Sequence, residues 1–158
     1  MALIKKYGFW ILLGAVAVYW GYRKWPHEIA VEDIQVYNDQ NQLENYIISG
    51  DSALIVHFFA SWCGPCMREL PEWASHLKEL RAAGFQVVCI TDDTPAIVQR
   101  LKDNYYLPIE RTESLQDLNV FSIPMSYIYN TNGQQVKRIE GPLEWSNPEL
   151  INELQKLK

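Results

Sequence analysis

Residues 53–60, Ala53-Leu-Ile-Val-His-Phe-Phe-Ala60, form a nearly unbroken apolar run, and two residues later comes Cys63-Gly64-Pro65-Cys66. Such a run reads as a strand buried on both faces, the situation of a central strand in a helix-covered sheet. Beyond the cysteines, Glu69, Leu70, Leu77 and Leu80 follow a helical pattern that Ala82-Ala83-Gly84 closes. Phe85-Gln-Val-Val-Cys-Ile-Thr91 then supplies a second buried strand. Strand, helix and strand make a crossover unit whose right-handed sense lays the second strand parallel beside the first. The cysteine pair therefore stands where a central strand hands over to a helix.

Sulfur chemistry suits that place. Cysteine attacks as a thiolate, and the free amides and positive dipole end of a helix N-terminus stabilise one, moving a resting pKa of ~8.5 toward or below ~7. Cys63 is the candidate nucleophile and Cys66 the resolving thiol. Pro65 fits the first helical turn, where a missing N–H costs nothing, and Gly64 lets the backbone turn tightly enough for the two cysteines to face each other. The competing reading is half of a zinc site, but the chain has no second Cys-x-x-Cys pair, and its third cysteine, Cys89, lies inside an apolar run as a core thiol. No metal and no cofactor beyond the dithiol itself is expected.

Sixteen uncharged residues, 7–22, lie between Lys6 and Arg23. As a helix they span ~24 Å against a hydrocarbon core of ~30 Å, enough for a short anchor whose flanking cations snorkel. Aromatic residues at both ends, Tyr7, Phe9 and Trp10, then Tyr19, Trp20, Tyr22 and Trp25, resemble interfacial belts, whereas Lys5-Lys6 and Ala15-Val16-Ala17 also suit a cleaved signal peptide. Residues 1–25 are assigned as a transmembrane anchor or signal segment, 26–33 as a linker and 34–158 as one globular domain. Four basic and no acidic residues among the first 25 leave 10 basic against 19 acidic beyond them, a formal charge of −9. That disfavours nucleic acid and anionic lipid as partners of the globular part.

The remaining elements follow in order. Ile34 to Tyr37 alternates like a strand. Asn38 or Asp39 is placed to cap a helix carrying Leu43, Tyr46 and Ile47, ended by residues 49–51. Asp92-Asp93-Thr94-Pro95 begins another helix by capping logic, with Ile97, Val98 and Leu101 as its apolar stripe. The stretch from Tyr105 to Val120 offers only a short helix around Leu115 and Leu118. Met125–Tyr129, Asn132-Gly133 and Gln135–Ile139 read as a β-hairpin, and Asn147-Pro148 opens a closing helix with Leu150, Ile151 and Leu154 on its buried side.

Phe58-Phe59-Ala60-Ser61-Trp62-Cys63-Gly64-Pro65-Cys66 resembles the active-site signature of the thioredoxin superfamily, and Cys66-Met67-Arg68-Glu69-Leu70-Pro71 resembles its TlpA/ResA-type branch of extracytoplasmic thiol-disulfide oxidoreductases. The resemblance covers about residues 34–158. It implies the α/β thioredoxin fold, a mixed central β-sheet flanked by helices. It also implies a cis bond at Ile123-Pro124 opposite the cysteines, with Trp62, Gly64, Pro65, Ile123 and Pro124 as the substrate-binding surface. Met125 departs from the Thr that many relatives carry.

Glu69, one turn beyond Cys66, matches the acidic residue that tunes the cysteines in ResA-like proteins, and the alternative is a solvated helix carboxylate. His57 stands where thioredoxins carry Asp and TlpA-like proteins often Asn. It is either a proton acceptor for Cys66 or a core histidine bound to its surroundings. Reduction of partner disulfides is the expected activity, with a membrane electron donor of the DsbD/CcdA type and cytochrome c maturation as implied context. A disulfide oxidase or isomerase is the alternative, and copper delivery a weaker one, since His27, His57 and His76 are the only histidines.

Overall fold

The computed structural model describes residues 11, 13–16, 28–48 and 52–158. Residues 11 and 13–16 are helical and exposed. The rest of the expected anchor or signal segment, 1–25, and the first two residues of the expected linker lie outside the described residues. Among those described, no helix is long and apolar enough to cross a membrane.

The central strand is β3, Ala53–Phe58, every residue of which is buried. It pairs parallel with β4, Phe85–Thr91, and antiparallel with β6, Met125–Tyr129. Outside these lie β5, Ile109–Arg111, parallel to β4, and β7, Gln135–Glu140, antiparallel to β6. The order β5-β4-β3-β6-β7 is the mixed sheet that the sequence implied.

Side chains alternate across a strand, so β3 feeds two cores. Ala53, Ile55 and Phe59 pack beneath α1, Gly64–Ala82, together with Leu70, Trp73, Leu77 and Leu80 of that helix. Leu54, Val56 and Phe58 face the opposite layer with Val31, Ile34, Val36, Leu118 and Tyr127. The helix runs through Pro71, which is exposed, and ends before Gly84, whose φ of +86° favours glycine. The α2 helix, Pro95–Tyr105, buries Val98 and Leu101, and α3, Leu150–Gln155, buries Leu150 and Leu154.

One expected helix is not there. Residues 35–45 form a hairpin of β1, Gln35–Tyr37, and β2, Leu43–Asn45. Asn38 caps no helix; its side-chain oxygen accepts from the amides of Gln40 and Gln42, and Asn41 takes a left-handed conformation to complete the turn. Asn offers the backbone such local bonds in competition with a helix. Of the expected apolar face Leu43, Tyr46 and Ile47, the first and last are exposed and only Tyr46 packs partly against the core. Arg111 clasps the hairpin to β5 by stacking on the Tyr37 ring and donating to Asn41.

Leu70 is fully buried, so Leu70→Ala is expected to cost about 2–5 kcal/mol, whereas Leu43→Ala, at 42% exposure, costs below about 0.5 kcal/mol. Urea unfolding of the two variants measures the contrast.

Candidate active site

Three chain segments meet at one edge of the sheet because of the strand directions. β3 and β4 run the same way and deliver Ser61 and Asp93 to the same end, while antiparallel β6 begins there, just after Pro124. Cys63 and Cys66 form a disulfide with Cα atoms 5.2 Å apart. Cys63 is the N-cap of α1, and its sulfur accepts from the Cys66 amide at 3.3 Å. It keeps 6% of its surface in solvent and Cys66 none, so Cys63 is the solvent-accessible sulfur of the pair. The Ile123–Pro124 bond is cis, as the resemblance implied, and the Ile123 carbonyl oxygen lies 3.7 Å from the Cys63 sulfur. Trp62 projects beside the pair at 75% exposure, and Gly64 and Pro65 are exposed on the first turn.

His57 and Glu69 come together inside the α1 layer. His57 is fully buried, with Nδ1 3.1 Å from the Ser126 hydroxyl and its ring 4.6 Å from that of Trp73. Nδ1 and the Ser126 hydroxyl share one hydrogen bond, and the other ring nitrogen, Nε2, lies 3.8 Å from Glu69 Oε2. Burial holds His57 down to about 3, because no charged imidazole is hydrated there. Burial pushes the Glu69 carboxyl up, opposed by hydrogen bonds from the Leu143 amide at 2.8 Å and the Trp145 indole at 3.3 Å. The Trp73 indole N–H leans toward the same carboxylate without a hydrogen bond of ordinary geometry. His57 Nε2, Glu69 Oε2 and Trp73 Nε1 thus form a buried polar cluster on the same helix face as Cys66. Burial also pushes the Cys89 thiol far up, with the Glu69 charge adding to it, so that thiol is inert at neutral pH.

Asp93 has a role that sequence reasoning missed. It was expected to cap α2, but Thr94 occupies the N-cap and Asp93 turns inward. Its carboxylate accepts from the Ser61 amide and hydroxyl, both at 2.7 Å, and from the Thr91 hydroxyl at 2.8 Å. That clasp fixes the turn carrying Trp62 and Cys63. Two acids precede Thr94-Pro95 where one cap suffices, and the surplus was the available signal. Leu143, Trp145 and Ser126 were also missed, since their roles depend on distant register. Among the described residues, no group of three or more His, Cys, Asp or Glu side chains is placed to hold a metal ion.

Residues 28–138 match the AhpC/TSA family. The chain is 26% identical over 111 residues to the thiol-disulfide oxidoreductase ResA of Oceanobacillus iheyensis, an alignment covering 66% of this chain and 57% of that one. It is 25% identical over 154 residues to ResA of Halalkalibacterium halodurans, covering 84% and 86%. It therefore spans little more than half of the first relative and most of the second. The crystal structure of StoA from Bacillus subtilis superposes with a TM-score of 0.58 at 20% identity, covering 78% of this chain and 94% of that one. That likeness concerns the fold.

Two outcomes are expected. Between pH 6.5 and about 3 the unfolded chain binds a proton on His57 that the folded chain does not, so stability falls as pH falls. Glu69, raised in the folded state, works in the opposite sense above its ordinary range. Denaturant midpoints at pH 6.5 and 4 should show wild type losing roughly 3 kcal/mol more than His57→Asn. Asp93→Ala strands the Ser61 and Thr91 donors and should cost roughly 1–3 kcal/mol, read by thermal unfolding.

Proposed function

Because the chain belongs to the AhpC/TSA family of thioredoxin-like proteins, we propose that it is a thiol-disulfide oxidoreductase working through Cys63 and Cys66. The observation that carries this is the cysteine pair itself, with its reachable sulfur at the start of α1 and its second sulfur buried one turn along. The relatives named ResA support the same reading.

In the reduced chain, the Cys63 thiolate attacks one sulfur of a partner disulfide. A Cys63–partner bond forms, the partner's S–S bond breaks, and the displaced sulfur leaves as a thiolate that takes a proton. Cys66 then loses its proton and attacks the Cys63 sulfur. The Cys63–Cys66 bond forms, and the partner leaves with two thiols and two electrons. The amides of the first helical turn stabilise the Cys63 thiolate, and the Glu69 carboxylate, whose proton affinity burial raises, is assigned to receive the Cys66 proton, since His57, held down to about 3, is too weak a base to take it. Trp62, Gly64, Pro65, Ile123 and Pro124 form the surface on which the partner chain lies.

The direction we assign is reduction of partner disulfides. Gly64-Pro65 between the cysteines is similar to the dipeptide of reducing thioredoxins, whose potentials lie near ~−270 mV, against ~−120 mV for strong oxidants. The domain is assigned to the outer side of a membrane, periplasmic or cell-surface, held by the N-terminal segment. A membrane electron donor of the DsbD/CcdA type would recharge it, and cytochrome c maturation is the assigned setting.

Equilibration of the full chain with defined thiol buffers is expected to give a potential below roughly −230 mV, and a value above about −150 mV would reverse the assigned direction. Cys66→Ser should accumulate a stable mixed disulfide through Cys63, while Cys63→Ser should lower exchange by at least about a thousandfold. A Cys63→Ser chain that still turned over would sink the mechanism.

A further inference from the structure

Beside the disulfide, sharing Trp62 and Ile123 with the surface assigned to the partner chain, runs a groove of about 370 Å³. Its walls are Trp62, Leu115, Val120, Phe121 and Ile123, and Asp92 stands on its rim. Phe121 lies three residues before Pro124 and leaves 75% of its surface in water, as Trp62 does. Two large aromatic faces held open to solvent cost apolar hydration that a globular domain ordinarily avoids. Leu115 and Val120 are buried, so the floor is firm.

The groove shares Trp62 and Ile123 with the cysteine site, and the Ile123 carbonyl sits 3.7 Å from the Cys63 sulfur. A chain whose disulfide meets Cys63 can therefore extend directly into the groove. Its one charged wall residue is the exposed carboxylate of Asp92, on a chain of net charge −5. Resting on the oxidoreductase reading above, we infer that this groove selects the partner. It takes an extended polypeptide with an aromatic or large aliphatic side chain next to its disulfide cysteine and a basic residue beyond, seated between Trp62 and Phe121 with the cation at Asp92. Phe121 is then the specificity-determining residue of this chain.

The test uses the reduced full-length chain and three short peptides, each cyclised by an internal disulfide, with Phe-Lys, Ser-Lys or Phe-Glu beside one cysteine. Every rate is divided by the rate of the same peptide with glutathione, which removes intrinsic reactivity. Wild type should favour Phe-Lys over Ser-Lys by about tenfold, the scale on which one seated apolar side chain discriminates. It should favour Phe-Lys over Phe-Glu by about threefold, as befits an exposed charge pair. Phe121→Ser should bring the first ratio below about two, and Asp92→Asn should erase the second. Tyr106→Asn, which removes an equally exposed aromatic at the far end of α2, should preserve both.

Wild-type ratios near one, or a first ratio that survives Phe121→Ser, would overturn the assignment while leaving the exchange reaction standing. Failure of wild type to exchange with glutathione disulfide would instead bring down the oxidoreductase reading, and this one with it. A concentration-dependent dimer, or binding to phosphatidylcholine vesicles, that Phe121→Ser abolishes would identify a second copy or a lipid surface as the occupant and overturn the peptide.

Discussion

A strand covered on both faces has no water to satisfy its peptide groups, so both of its edges must be paired. β3 meets that demand with β4 on one side and β6 on the other, and most of the molecule follows from it. Parallel pairing with β4 requires a long crossover, which α1 supplies and whose first turn holds the cysteines. Antiparallel pairing with β6 brings the Ile123–Pro124 bond back to the same end of the strands. The register His57↔Ser126 gives a buried imidazole a partner from a residue 69 positions away. The site is therefore a product of strand pairing before it is a product of sulfur chemistry.

Burial that makes the sheet firm makes its ionisable groups awkward. A neutral imidazole and a carboxyl raised by desolvation sit 3.8 Å apart at their nearest atoms, and each holds one polar atom without a hydrogen bond. A core built for stability alone would place apolar side chains there, since buried polar groups cost free energy unless fully paired. Both lie in the layer that carries Cys66, His57 on β3 and Glu69 one helical turn past the cysteine. Asp93 shows the opposite use of a buried acid: with its oxygens taking three donors, it serves as a fixed clamp on the turn before Cys63.

Much of this was legible in the residues, and the reason differs by segment. The β3 run, the cysteines, the α1 stripe and Gly84 are local signals, and each carries its meaning within a few positions. In the β1–β2 hairpin the first strand was legible from its alternation, but β2 was misread as helix because Leu43, Tyr46 and Ile47 happen to fall at helical spacing, while the deciding feature was the Asn38 side chain that closes the turn. β5 spans only Ile109–Arg111, too short to leave a period of its own. Asp93, Ser126, Leu143 and Trp145 act on residues far along the chain, and no local pattern announces a contact set by register.

The bond from the Leu143 amide to Glu69 joins positions 74 residues apart. A ribosome releases the whole cysteine helix, both of its flanking strands and β6 before it delivers that donor, and the Trp145 indole and the α3 helix come later still. Until then the Glu69 carboxylate has only water to satisfy it, and α1 cannot settle onto the sheet without burying it bare. Leu143 and Trp145 thus act as a late latch on a layer whose cysteines were translated far earlier. A nascent chain stopped short of Leu143 would carry Cys63 and Cys66 while lacking both of the donors that hydrogen-bond the buried Glu69 carboxyl.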